Sequence, residues 1–186
     1  MRESIAGTWL FGIVITFIVL FASFLAYSIS YTKAFNLKNE IINLIERNDG
    51  FTKVGDGKNP YKQIDVTNAS DQVLKDNGSV EALAFLRVKN MGYNYSIVDK
   101  NNTNDICFDR ESGYTGCHRP GGYCTLKVCT TNNNRIKLHY KVTAFIALEI
   151  PVINLLIKIP ISGETKTMYY DATGSACPKP GDDPCI

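Results

Sequence analysis

Hydrophobic positions fall into two unlike patterns along the first fifty residues. From Ile5 to Tyr31 there is no Asp, Glu, Lys, Arg or His, and a helix of that length, at about 1.5 Å per residue, exceeds a hydrocarbon core of about 30 Å. The run outlasts the roughly 7 to 15 apolar residues of a signal-peptide core. Ser28-Ile29-Ser30 is a poor cleavage site, so the pattern predicts a retained transmembrane anchor over residues 1–31. The following stretch, SYTKAFNLKNEIINLIERNDG, changes to helical spacing, with Leu37, Ile41, Leu44 and Ile45 on one face and Lys33, Lys38, Asn39, Glu40 and Arg47 elsewhere. One helix is expected from about Glu3 to Arg47, its second part an amphipathic stalk over 32–50 that is continuous with the anchor. Asn48-Asp49-Gly50 should end it, with Gly50 as the left-handed residue.

The remainder, 51–186, reads as one domain with a core of its own. Ser79 is placed to cap a short helix whose inner face combines Val80, Leu83 and Leu86 with Val88 or Met91, and Gly92 should close it. Tyr93 to Val98 alternates as a short strand. In RIKLHYKVTAFIAL, Ile136, Leu138, Tyr140, Val142, Ala144 and Ile146 alternate with Lys137, His139, Lys141 and Thr143, the signature of a half-buried strand. Its partner is expected in IKIPISGETKTMYY, joined through LEIPVINLL as a long hairpin with an apolar connection. A second membrane span there is excluded, because Glu149 and Lys158 would each cost about 2.5 to 3.5 kcal/mol near the bilayer centre. The fold class is α+β: a long transmembrane and stalk helix, then a small disulfide-stapled domain with one short helix and an antiparallel sheet.

Charge adds little. Lys and Arg number 20 against 18 Asp and Glu, a net of +2 mixed along the chain, which gives no basic footprint for nucleic acid. The six cysteines all follow residue 106 without the paired C-x-x-C of a zinc site, so they read as disulfides of a compartment outside the cytosol. The expected topology has a cytoplasmic N-terminus and an extracytoplasmic C-terminal domain. The charge bias opposes this mildly, with Arg2 on one side and Lys33, Lys38 and Arg47 on the other, but large domains translocate with limited regard to such a bias.

Candidate chemistry is sparse. His118 and His139 are the only histidines and are expected to be exposed surface residues. No nucleophile motif, phosphate loop, zinc-helix motif or dinucleotide fingerprint occurs. Asp182-Asp183 lacks calcium-loop spacing, and Gly121-Gly122 after Pro120 reads as a tight turn. The chain is expected to be no enzyme, with no catalytic residue, cofactor or metal.

Glu3, just ahead of an uncharged helix that continues as a stalk into an α/β domain, resembles the layout of type IV pilin-like subunits. Within that group the chain is most similar to the TadE-like pseudopilins of tight-adherence pilus systems. The similarity rests on RESIAGTWLFGIVITFIVLF at one end and HYKVTAFIALEIPVINLLIKIPISGETKTMYY at the other, about half the chain. Two features depart from it: only Met1 and Arg2 precede Glu3, where prepilins carry a leader ending in Gly, and the acidic residue of pilins lies further into the helix. The resemblance implies a non-enzymatic subunit or accessory protein of a pilus or secretion apparatus. Its partners would be the lipid bilayer, pilin-like subunits or other apparatus components, and further copies of the chain through the N-terminal helix. Glu3 would then be an assembly residue facing a neighbour's amine. Ala6, Gly7, Thr8, Gly12, Ala22 and Ser23 supply small surfaces for helix packing, although Gly7 and Gly12 are not at GxxxG spacing. The alternative is a tethered cell-surface binding domain outside any polymer.

The cysteines complete the expectation. CTLKVC reads as a strand, on which residues five apart lie about 16 Å apart, so Cys124 and Cys129 should not pair. A turn at Arg119-Pro120-Gly121-Gly122 would bring Cys117 to Cys124 and leave Cys107 for Cys129. Cys177 and Cys185 would close a terminal loop, in the position of the C-terminal disulfide loop of some pilins.

Overall fold

The computed structural model of the chain describes residues 2–50, 66–93, 107–109, 114–132, 135–150 and 155–171. Its first element is the expected continuous helix, α1 (Arg2–Arg47), about 69 Å long at 1.5 Å per residue. The Gly50 N–H donates to the Ile45 carbonyl at 3.0 Å, and the Asn48 side-chain amide donates to the Leu44 carbonyl at 2.8 Å. The turn enters positive φ one residue early, at Asp49 (φ 52°), and Gly50 follows at φ 136°. Asp is one of the few non-glycine residues that adopt this conformation. Gly50 lies one residue further on, with its Cβ position 3.4 Å from the Tyr140 hydroxyl.

Two short helices follow where one was expected: α2 (Asp71–Asn77), capped by Ser70, and α3 (Val80–Asn90), capped by Ser79. The Ser79 hydroxyl accepts the Ala82 N–H at 3.2 Å. Gly92 ends α3 at φ 62°, with its N–H bonded to the Lys89 carbonyl and the Tyr93 N–H bonded to that of Val88, the paired hydrogen bonds of a Schellman motif. The inner face of α3 is Val80, Ala84 and Val88, while Ala82 and Leu86 pack with Leu74 and Val66. Leu83 is only half-buried. The helix is sandwiched between α1 and α2, so small alanines rather than Leu83 occupy the close approaches. The strand expected over Tyr93 to Val98 lies, after Tyr93, outside the described residues.

The strands are β1 (Phe108–Asp109), β2 (Tyr114–Thr115), β3 (Cys117–Arg119), β4 (Tyr123–Asn132), β5 (Arg135–Ile150), β6 (Leu155–Glu164) and β7 (Met168–Asp171). β1 and β2 form a small ribbon, and the main sheet is antiparallel in the order β3-β4-β5-β6, with β7 beside the start of β5. The β5–β6 hairpin appears as expected, in register Ala144↔Ile161 and Val142↔Gly163, whereas the connection itself lies outside the described residues.

Alternation along β5 decides which face is which. Leu138, Tyr140, Val142, Ala144 and Ile146 are buried in one cluster with α1 and α3, and Ile136 at the start of the same face is buried too. The opposite face begins polar at Lys137 but ends buried at Thr143 and Phe145, where Cys107 and Cys124 cover it. Beyond the start of β4, the free edge of β5 is occupied by a side chain: the Tyr93 hydroxyl donates to the Phe145 carbonyl at 2.7 Å and accepts the Phe145 N–H at 2.6 Å. Pro160 lies across from Phe145 on the other side, a position where its missing N–H is tolerated because Phe145 bonds the other way.

Candidate functional site

The feature most capable of function is α1, and its two halves are positioned by different things. From Gly7 to about Leu25 the helix carries no charged residue, and among the described residues nothing covers it. It is long and apolar enough to cross a membrane. Two of its hydroxyls are satisfied internally: Thr16 donates to the Gly12 carbonyl and Ser23 to that of Val19, both at 2.8 Å, which lets polar side chains sit in an apolar surrounding. Aromatic rings mark both ends of this segment. Trp9 is exposed near one end, and Tyr27, Tyr31 and Phe35 follow one another at four-residue intervals at the other, with ring centroids 6.4 and 6.2 Å apart. Lys38 Nζ lies 4.4 Å from the Phe35 ring centroid and ends the series. Trp9 and Tyr31 are about 33 Å apart along the axis, close to the spacing of aromatic belts at the two interfaces of a bilayer. The four-residue spacing of Tyr27, Tyr31 and Phe35 is visible in the sequence and is the signal that pattern reading passed over.

A shallow, open groove on the exposed half is lined by residues that include Thr8, Gly12 and Thr16 together with Trp9, Phe17 and Leu20. A Cβ added at Gly7 or Gly12 would meet nothing within 4 Å. Small residues four apart permit close backbone approach between membrane helices, and Thr8, Gly12 and Thr16 stand at that spacing. Glu3 falls within α1. Its side chain lies outside what the structure describes, as does that of Ala6. Ala22 and Ser23 are on exposed helix surface.

The second half of α1 is held in the domain. Ala34, Leu37, Ile41 and Ile45 are fully buried, with Leu44 packed partly against the same core. The helix crosses β6 at Gly163, where an added Cβ would come within 2.9 Å of Ile42 Cδ1 and Lys38 Cδ, so the absence of a side chain there sets how closely helix and sheet approach. At the helix end, Glu46 accepts the Lys166 backbone N–H at 2.8 Å, with Lys166 Nζ 3.5 Å from its other oxygen. Beside it the Thr165 hydroxyl accepts the Tyr140 N–H at 2.9 Å, bridging the break between β6 and β7. Glu40 pairs with Arg87 of α3 at 3.2 Å.

The cysteine pairing differs from the expectation. Cys107 is bonded to Cys124, with Cα atoms 5.9 Å apart, so the Cys107–Cys129 and Cys117–Cys124 pairs do not form. The reason is a shift of one residue in register. Residues 120–122 make a three-residue loop between Arg119 and Tyr123, with Gly121 (φ 95°) and Gly122 (φ 86°) supplying the positive angles. His118 rather than Cys117 therefore lies opposite Cys124, and a shift of one residue turns a side chain to the other face of the sheet. Cys124 and Cys129 do share β4 and are not paired with each other. The Cys177–Cys185 expectation falls outside the described residues.

This register also relocates His118. It is half-buried, with Nδ1 3.3 Å from Cys107 Sγ and its Nε2 shielded from solvent, and His139 on β5 is likewise half-buried. Neither is the exposed residue expected. His118 Nδ1 and the two sulfurs lie within 4.8 Å of one another, a grouping that resembles metal ligands. The sulfurs are joined to each other, however, and metals are bound by thiolates, so the cluster in this state is a disulfide packed against an imidazole.

No protein-family model matches the chain, and no curated protein or solved structure matches it either.

Proposed function

We propose that the chain is a non-enzymatic, single-pass membrane subunit of a pilus-like or secretion assembly, with a cytoplasmic N-terminus and an extracytoplasmic domain, assembling through the exposed half of α1. The observation that carries this reading is the continuity of α1 from an uncovered apolar segment into the centre of the domain core. A tether for an independent binding domain works best through a flexible joint, whereas a rigid helix fixes the domain's orientation relative to its neighbours. The groove over Thr8, Gly12 and Thr16 offers a helix-packing surface, and a buried disulfide agrees with an oxidising compartment.

The test is made in membranes of an expressing cell. The intact chain should resist carbonate extraction, and a photoreactive residue at position 13 should cross-link neighbouring copies into a ladder. Gly12→Leu should reduce the ladder at least several-fold, and Glu3→Gln should reduce it if Glu3 meets a neighbour's amine. Extraction of the chain by carbonate would remove the anchor. A carbonate-resistant chain without a ladder would leave a tethered surface domain.

A further inference from the structure

Cys117 and Cys129 are both in disulfides, and none of the described cysteines is a free thiol. They cannot be bonded to each other. Cys117 lies opposite Thr125, four residues along β4 from Cys129, which separates them by about 13 Å along the strand and one inter-strand step, against the roughly 7 Å a disulfide allows between Cα atoms. Cys107 and Cys124 already hold one another. Of the six cysteines only Cys177 and Cys185 are left as partners.

The sheet register decides which goes with which. Asp171 lies opposite Arg135 on β7, and Cys129 lies opposite Leu138 on β4, so the two are separated by two strand spacings and three residues, about 14 Å. Cys117 is one strand further and level with Val142, because Thr125 pairs with Val142, and it stands about 27 Å from Asp171. Six residues of chain reach at most about 20 to 22 Å when fully extended. Cys177 thus reaches Cys129 easily, but would meet Cys117 only as a taut line through the side chains of β5 and β4. Cys185, eight residues later, has ample chain for Cys117.

We propose that the chain carries the disulfides Cys129–Cys177 and Cys117–Cys185 in addition to Cys107–Cys124. Each forms by exchange with an oxidised dithiol carrier of the extracytoplasmic compartment: two thiols give up two protons and two electrons as one S–S bond, and the carrier's disulfide is reduced to two thiols. Cys129 packs against the helix-side core, and Cys117 shares its face with Thr125 and Val142 by register, so both bonds lie on the side of the sheet that carries α1. The consequence is a double tie from the C-terminal segment to β3 and β4. A backbone cut between residues 130 and 176 would leave the two pieces joined. A Cys177–Cys185 loop cannot coexist with this set.

Peptide mapping of the intact, detergent-solubilised chain decides the matter. After alkylation at acid pH without reduction, chymotrypsin cutting after Tyr123, trypsin cutting after Lys127 and an Asp-directed protease cutting before Asp109 and Asp182 place the six cysteines on separate peptides. The expected linked peptides join Cys117 to Cys185 and Cys129 to Cys177. Cys177→Ser should expose one new alkylatable thiol, at Cys129, and Cys185→Ser one at Cys117. A Cys177–Cys185 peptide, the swapped pairing, or alkylated Cys117 and Cys129 in the unmodified chain would each overturn the proposal. The map of the unmodified chain decides even if a serine variant fails to fold.

Discussion

One helix presents the same kinds of side chain in two opposite situations. Phe17, Leu20 and Phe21 in the first half of α1 are more than half exposed, whereas Leu37, Ile41 and Ile45 in the second are at 0 %. Backbone geometry is common to both halves, and so is apolar character. What differs is arrangement: the first half is apolar on every side, a surface that only lipid or other helices can cover, while the second confines its apolar residues to a stripe matched to β5 and β6. Burial thus follows from the availability of a complementary face rather than from hydrophobicity alone.

Truncation gives the largest test of that contrast. Removing residues 1–31 should yield a soluble, cooperatively melting domain, because every fully buried residue of α1 is retained. Removing residues 1–50 should abolish the transition, since Ala34, Leu37, Ile41 and Ile45 leave together and uncover Val142, Ala144 and Ile146. Thermal melts followed by circular dichroism distinguish the two. A fragment beginning at residue 51 that melts like the longer one would make the stalk an accessory to the core.

The next test applies one substitution to both halves. Leu37→Ala should destabilise the domain by about 2–5 kcal/mol, the range for emptying a well-packed site, while Leu20→Ala should leave the domain transition unchanged in detergent. Equal effects would mean that the halves are not energetically separate.

Much of this architecture is legible in the sequence for a physical reason. The extent of α1 follows from an uncharged run joined to a helical stripe, and the faces of β5 follow from the alternation of apolar and polar residues from Ile136 to Thr143. The illegible parts are settled by single-residue choices. A turn that enters positive φ at Asp49 rather than Gly50, and a loop of three residues rather than two before Tyr123, both satisfy the local turn chemistry. Only packing selects between them: a Cβ at Gly121 would come within 2.7 Å of Val88 Cγ1, so this loop lies directly against α3. That choice turned His118 toward Cys107 and undid the expected disulfides. α2 escaped notice because its seven residues bury only Leu74, too little for a periodic signal.

The buried side of the contrast can also be titrated. Tyr123 belongs to the same cluster as Leu37 and Ile41. Burial raises its hydroxyl pKa above the usual 10.0, with Arg119 opposing and Glu81 reinforcing the shift. The folded pKa exceeds the unfolded one, so its contribution is complete below pH 10 and is lost as pH rises from there through the folded value. By pH 11 the loss should be on the order of 1 kcal/mol. Tyr123→Phe should flatten that alkaline slope in denaturant melts, and an unchanged slope would assign it to other groups.

The smallest effect belongs to the polar tie at the base of the stalk. Glu46 holds the Lys166 N–H through one oxygen and approaches Lys166 Nζ with the other, but that lysine side chain is 84 % exposed, so the ion pair is heavily screened. Glu46→Gln keeps an acceptor oxygen for the backbone N–H and removes the charge. The loss should be below about 1 kcal/mol, the usual limit for an exposed pair, and should shrink further at high salt. Measured beside Leu37→Ala, it weighs the polar tie against the apolar seat. A cost for Glu46→Gln equal to that of Leu37→Ala would mean that the stalk is held at its end rather than along its buried stripe, and the two halves of α1 would then differ by one anchoring carboxylate instead of by the surfaces they meet.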